Sequence, residues 1–375
     1  MGDFFVTDIR IDHVRHLHNI DIPLSKTVRK HLILTGKNGS GKTSVLDEAA
    51  KLAGYLPFLN TRLDREANGL MIEFNHPSPD IQAAMSRGDF IVAYYKDRRH
   101  FNPAIPEHVE KIVPTVRSDA NKTPGDDFVK YLLDLKMTQA LALTRGDADK
   151  ASEIEHWFEG LQGLMKAVFD DSSVQLVFDE DTFRFSLVMD GREPFDFNTL
   201  SSGYAAVFDI ILDLIMRMES VTPRRFDFHA QGLVFIDEIE SHMHLKLQKE
   251  ILPFLTRTFP NVQFIVSSHS PFVLNSIDNV VIFDLEHDTL VSEGLTDVPY
   301  DGVVEGYFGS DLQSAEMRAR FERFKHLVGK PELSDDDLVE IAELEVYLDE
   351  VPDYLALSFA AEYSRLKLEF EGREV

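Results

Sequence analysis

The sequence predicts an α/β protein, and three features of its pattern carry that expectation. A continuous apolar run, HLILTG, leads into GKNGSGKTSVLDEAAKLAGYL, a glycine-rich turn that opens a helix. Two further apolar runs, GLVFIDE and NVQFIVSSHS, each end in polar residues, as expected of buried strands whose carboxyl ends carry chemistry. A helix-length stretch separates these two runs, so that strand and helix alternate.

The elements follow in order. FFVTDIRI and HNIDIPL alternate as surface strands before HLILTG. From about residue 60 to 124 the pattern is irregular. Phe90–Tyr95 (FIVAYY) is its one clear strand, and prolines at 77, 79, 103, 106, 114 and 124 prevent long helices. Helices are expected from Asp126 to Thr144 and from Ala151 to Phe169, joined by RGDADK. SVQLVFDEDTFRFSLVMDG reads as a hairpin turning near Asp179 to Asp181. A long helix from Tyr204 to Glu219 and another from His244 to Thr258 flank GLVFIDE, and VVIFDLEHDTLVSE closes the sheet as a hairpin. Helices at Leu312 to Val328, Ser334 to Leu348 and Asp353 to Glu371 end the chain. Pro352 separates the last two, and Ser334 or Asp335 caps the middle one. The expected division is a core of residues 1–60 and 170–300, a lid or helical insertion over 61–169, and an acidic helical region over 301–375.

Composition narrows the class. Of 375 residues, 44% are hydrophobic and 28 are phenylalanine, enough for a full core. Without cysteine there are no disulfides or thiolate metal sites, and a reducing cytoplasm suits the chain. Asp3 and Asp8 interrupt any export signal, and no run is long and apolar enough for a bilayer, so a cytoplasmic protein with no membrane partner is expected. A formal charge of −26 disfavours general affinity for nucleic acid, although Lys96 to His100 (KDRRH) leaves a local basic patch. Eleven acidic residues and no lysine or arginine fall between Lys330 and Arg365, a face that either is solvated or docks a basic partner.

Residues 36–43, GKNGSGKT, fit G-x-x-x-x-G-K-[ST] in full. Gly36, Gly39 and Gly41 let the backbone wrap so that amides, including those of Asn38 and Ser40, point at phosphate oxygens beside the positive end of the helix. Lys42 is placed for the terminal phosphates and Thr43 for Mg²⁺. Asp237 ends an apolar strand and can hold Mg²⁺ through water, while Glu238 is the natural general base. His269, 32 residues after Asp237, ends the next strand and can sense the nucleotide state. His13, His16, His18 and His31 read as ordinary surface histidines rather than metal ligands.

These elements, with FNTLSSGYAAVFDI, resemble the ABC-type ATPase heads of the SMC, Rad50 and OLD group. LSSGY at 200–204 is similar to the LSGGQ or LSGGE motif of that group. The resemblance implies that Ser201, Ser202 and Gly203 contact ATP held by a second subunit, that two heads sandwich Mg-ATP, and that the chain is an ATPase, slow where the usual metal-coordinating glutamine is missing. EIESHMHLKLQ resembles the OLD-like form, which places Glu240 and His244 near the dimer seam. Tyr204 departs from the usual glutamine or glutamate, and no residue matches the usual metal-coordinating glutamine; Gln82 reads as a helical surface residue. About 156 residues separate Thr43 from Leu200, too few for a long coiled coil, and the region after Glu293 is too short and helical for a nuclease domain. Within the group the chain therefore looks most like compact ATPases of anti-phage systems, such as the ATPase subunit of Septu and its retron-associated relatives. That implies a homodimer or higher oligomer acting on a separate effector, a nuclease or toxin. A DNA-clamping repair-type ATPase and a nucleotide-gated scaffold with little hydrolysis remain alternatives.

Overall fold

The computed structural model describes residues 3–55, 69–99, 101–116, 123–299, 302–303, 315–330, 333–349 and 357–371. They divide into two compact units, Met1–Asp297 and Val298–Val375. In the first, strands β1 (Val6–Val14), β2 (Leu17–Pro23) and β3 (His31–Thr35) precede helix α1 (Lys42–Tyr55). β4 (Leu70–Phe74), α2 (Ser78–Arg87) and β5 (Phe90–Tyr95) follow, then the helical hairpin α3 (Phe128–Thr144) and α4 (Ala148–Phe169). Next come the strands β6 (Gln175–Asp179) and β7 (Arg184–Val188), α5 (Ser202–Val221), β8 (Gln231–Ile236), α6 (Leu245–Thr258) and β9 (Val262–Ser267). A short α7 (Pro271–Leu274), β10 (Val280–Asp284) and β11 (Thr289–Val291) complete the unit.

The main sheet is six-stranded and mixed, in the order β11-β10-β3-β9-β8-β5. β10, β3, β9, β8 and β5 run parallel, and β11 returns antiparallel to β10. Every residue of β3, β9 and β10 is buried, which is why these strands read as unbroken apolar runs. β2-β1-β4 form a separate antiparallel sheet. There β1 and β2 alternate between buried and exposed positions because only one face meets the core. The order sets β3 beside β9 and β9 beside β8, so the carboxyl ends carrying Gly36, Asp237 and His269 are neighbours. This is an α/β fold with a mixed sheet, a helical insertion and C-terminal helices, as the resemblance predicts.

The segment 61–169 is not purely a lid or helical insertion. β4 pairs with β1, and β5 pairs with β8 at the edge of the main sheet. Gly232 permits the latter, since a Cβ there would lie 2.8 Å from the Ile91 carbonyl. LMIEF is short, and its partner lies far away in sequence, so local pattern undervalues it. The prolines act as expected except at Pro79, which sits in the first turn of α2 where its missing N–H costs nothing.

Helices α3 and α4 are anchored to α5 by buried carboxylates. Glu219 accepts hydrogen bonds from Tyr131 Oη at 2.6 Å, the indole N–H of Trp157 at 2.7 Å and the Arg224 amide at 2.7 Å. Asp213 accepts from Tyr95 Oη at 2.5 Å, Arg217 Nε at 2.7 Å and the Gly125 amide at 3.0 Å. Such groups are tolerable inside a protein only when their partners are complete.

The second unit contains α8 (Ala315–Val328), α9 (Asp335–Asp349) and α10 (Leu357–Glu371). Phe324, Leu327, Ile341, Leu348 and Tyr363 pack together. Ser334 caps α9 reciprocally: its Oγ accepts the Asp337 amide at 3.2 Å, and Asp337 accepts the Ser334 amide at 3.1 Å. Pro352 and the expected starts of the first and third helices, at Leu312 and Asp353, lie outside the described residues. Among the described residues no helix is long and apolar enough to cross a membrane.

Candidate nucleotide site

Strand β3 ends at Thr35, and the chain turns through Gly36, Gly39 and Gly41 with φ of 122°, 84° and 103°. L-residues rarely adopt these angles, which accounts for the glycines. Space adds a second constraint. A Cβ on Gly36 would lie 2.9 Å from Ser40 Oγ, and one on Gly41 would lie 2.7 Å from the Leu17 side chain. Lys42 opens α1 and is buried, its Nζ donating to the carbonyls of Gly36 at 2.7 Å and Lys37 at 3.0 Å. Burial lowers its pKa, against the pull of Glu238, Asp237, Glu240 and Asp284.

Asp237, the first residue past β8, is buried. Ser267 at the end of β9 serves it and its neighbour: Ser267 Oγ donates to Asp237 Oδ1 at 2.6 Å and accepts the Glu238 amide at 2.7 Å. Glu238 has φ of 44°, uncommon for a residue with a side chain. Its Oε2 accepts Ser241 Oγ at 3.0 Å. The His269 amide donates to Glu240 Oε1 at 2.5 Å. Burial and the nearby Lys42 charge lower the His269 pKa, against the pull of Glu240, Glu238 and Asp237.

These elements enclose an open pocket of about 290 Å³. Asn38, Gly39, Gly41, Lys42 and Thr43 line one side; Glu238 and His269 line the other. Gly36, Ser40 and Asp237 are not among the lining residues; Gly36 packs close to Ser40, and the Asp237 carboxylate is held by Ser267. Ser201, Ser202 and Gly203 are not among the lining residues. Ser201 and Ser202 are exposed at the start of α5, whereas Gly203 is buried, a Cβ there lying 3.0 Å from the His242 carbonyl. Tyr204 packs its ring on Phe169 with centroids 4.6 Å apart, which explains an aromatic at that position. His244 caps α6, its Nδ1 accepting the Leu247 amide at 3.4 Å. Gln82 lies within α2.

Three pocket residues escaped sequence reasoning. Arg15 and His16, at the β1–β2 turn, line it together with Ser44. His16 is thus no bystander, and His31 is buried rather than on the surface. Among the described residues no group of three or more His, Cys, Asp or Glu could hold a metal. The Thr43 hydroxyl and the Asp237 carboxylate are oxygen donors of the kind a hard cation such as Mg²⁺ takes.

Residues 158–275 match a protein family described as "AAA domain, putative AbiEii toxin, Type IV TA system". The chain is 22% identical to "Septu protein PtuA" of Bacillus mycoides over 91% of its own length and 50% of that protein. It is 38% identical to "Retron Vc95 probable ATPase" of Vibrio cholerae over 24% of its own length and 18% of that protein. Its sequence is thus similar to Septu and retron ATPases over these spans. Among solved structures, the Smc head domain derived from Pyrococcus furiosus is similar at a TM-score of 0.42 and 13% identity, over 78% of this chain and 97% of that one. The chain spans half or less of the length of these two curated relatives.

Proposed function

We propose that this chain binds and hydrolyses Mg-ATP in the P-loop pocket, and that two copies pair so that Ser201, Ser202 and Gly203 of each face the nucleotide held by the other. The cycle then regulates a separate effector, a nuclease or toxin of an anti-phage system in the cytoplasm. The observation that carries this is the division of the site. Lys42, Thr43, Glu238 and His269 share one pocket, whereas Ser201 and Ser202 stand exposed outside it at the start of a long helix. The effector rests on the likeness to Septu and retron ATPases and to a toxin–antitoxin family.

In this scheme Lys42 exchanges its carbonyl contacts for the terminal phosphates, and the loop amides fix the rest of the chain of phosphates. Thr43 and Asp237 would hold Mg²⁺, which when bound neutralises charge that develops on the phosphoryl oxygens. Glu238, oriented by Ser241, takes a proton from the attacking water, and His269 offers a hydrogen bond beside it. Ser201 and the helix end of the second copy complete the electrostatic cage. The charge of −26 argues against a dependence on nucleic acid.

Light scattering with and without Mg-ATP, on wild type and Glu238→Gln, tests the scheme. The expected result is a mass that doubles with ATP and stays doubled in the variant, which binds ATP but does not cleave it. A mass unchanged by ATP, in protein shown to bind it, would rule out nucleotide-driven pairing.

A further inference from the structure

We propose that Arg99 is a positioning residue for hydrolysis: its guanidinium grips the backbone just past β8 and thereby holds the Glu238 carboxylate in the pocket. This rests on the role given to Glu238 above. Arg99 lies shortly beyond β5, the edge strand beside β8, in a stretch that reads as a basic surface patch. Yet it is only 2% exposed. Its Nη1 donates to the Asp237 carbonyl at 2.9 Å, and its Nη2 donates to those of Glu238 at 2.8 Å and Ile239 at 3.1 Å. Three consecutive carbonyls just past the end of β8 converge on one side chain, and that of Glu238 also accepts the Ser241 amide at 2.8 Å.

Buried carbonyls need partners, and a planar fork supplies them for Asp237 and Ile239 while adding a second donor to Glu238. The same turn holds Glu238 at a positive φ. Such a conformation persists only where its surroundings over-determine it. Ser267 binds the N–H of Glu238 on one side while Arg99 binds its C=O on the other. Asp209 of α5 is a charge partner of the buried guanidinium. Arg99 keeps the Asp209 carboxyl from rising further than the pKa of about 6 to which burial and Asp213 push it. A lysine ammonium cannot reproduce the fork, because it is a point charge with tetrahedral donors.

The test uses the full chain, single-turnover hydrolysis at saturating Mg-ATP, and a fluorescent ATP analogue for affinity. Arg99→Ala is expected to slow hydrolysis about 10- to 100-fold while affinity stays within about twofold, the pattern of a lost transition-state contribution. Millimolar guanidinium should restore part of the rate in Arg99→Ala and none in Glu238→Gln. Amide exchange in the Glu238–Ser241 turn should accelerate in Arg99→Ala whether or not hydrolysis is measured. Should Arg99→Ala fail to fold, Arg99→Lys decides, with a slower rate and unchanged affinity expected. Rates within about twofold of wild type in the folded Arg99 variants, alongside an inactive Glu238→Gln, would overturn the proposal. So would a joint loss of affinity and rate that guanidinium does not rescue. A fully active Glu238→Gln would instead remove the role of Glu238 itself.

Discussion

The two ends of the parallel sheet treat buried polar residues in opposite ways. At the amino ends, Gln263 is fully buried and makes three backbone hydrogen bonds: it accepts the Val6 amide at 2.7 Å and donates to the carbonyls of Val6 at 3.1 Å and Lys30 at 2.7 Å. Gln231 accepts the Phe4 amide at 2.8 Å, and His31 Nδ1 accepts the Phe264 amide at 3.0 Å. These residues stitch the first strand and its neighbours to the sheet; Arg29, whose Nε is unpaired, departs from the pattern. At the carboxyl ends the bookkeeping stays open. Thr35 Oγ1, Glu240 Oε2 and Arg99 Nε lack partners, and Glu238 holds a positive φ. Closed polar networks belong to stability, and open ones mark where a ligand is expected.

Substitutions at the two ends of the sheet should therefore differ in consequence. The largest effect is expected for Lys42→Ala, which should cut ATP hydrolysis by at least about 100-fold and leave the unfolding midpoint at or above that of wild type. A destabilised Lys42→Ala would make Lys42 a structural residue. Gln263→Ala should do the reverse: urea unfolding should show a loss of about 3 kcal/mol, from three orphaned backbone groups, with the folded fraction retaining its rate.

Acid sharpens the contrast further. Burial, aided by the Arg29 charge, lowers the His31 pKa to about 4, and its Nδ1 is already an acceptor, so the folded state holds the neutral ring. Below the unfolded value of 6.5 the unfolded chain binds a proton that the folded chain refuses. Stability should therefore fall with pH below 6.5 and level off near 4, with a loss of about 2 kcal/mol between pH 7 and pH 5. Urea midpoints of wild type and His31→Gln across that range measure it. Equal slopes in the two proteins would show that His31 contributes nothing.

The parts of the site that were legible in the sequence are those where local pattern and chemistry coincide. The strand, glycine turn and helix at 31–55 announce the phosphate loop, and unbroken apolar runs announce β8 and β9 with Asp237, Glu238 and the His269 segment at their ends. What escaped depends on register between distant segments. Arg15 and His16 reach the pocket because the β1–β2 turn packs on the loop, with Leu17 against Gly41. Nothing within HVRHLH signals that contact. Arg99 had a signal that charge counting hid. It follows the strand beside β8, at the same end of the sheet as Asp237, where a cation meets freed carbonyls. β4 was missed because five residues with a long-range partner leave little periodicity.

The chain's single tryptophan sits at the junction of α4 and α5. Trp157 is buried, and its indole N–H points at the Glu219 carboxylate, near the far end of the helix whose first residues are Ser202 and Gly203. The protein is thus its own optical probe. Emission excited at the indole band comes from one place, and the hydrogen bond to Glu219 ties the ring's surroundings to that helix. A nucleotide that displaced the helix beginning at LSSGY would therefore be expected to change the colour of this one residue in the unlabelled chain.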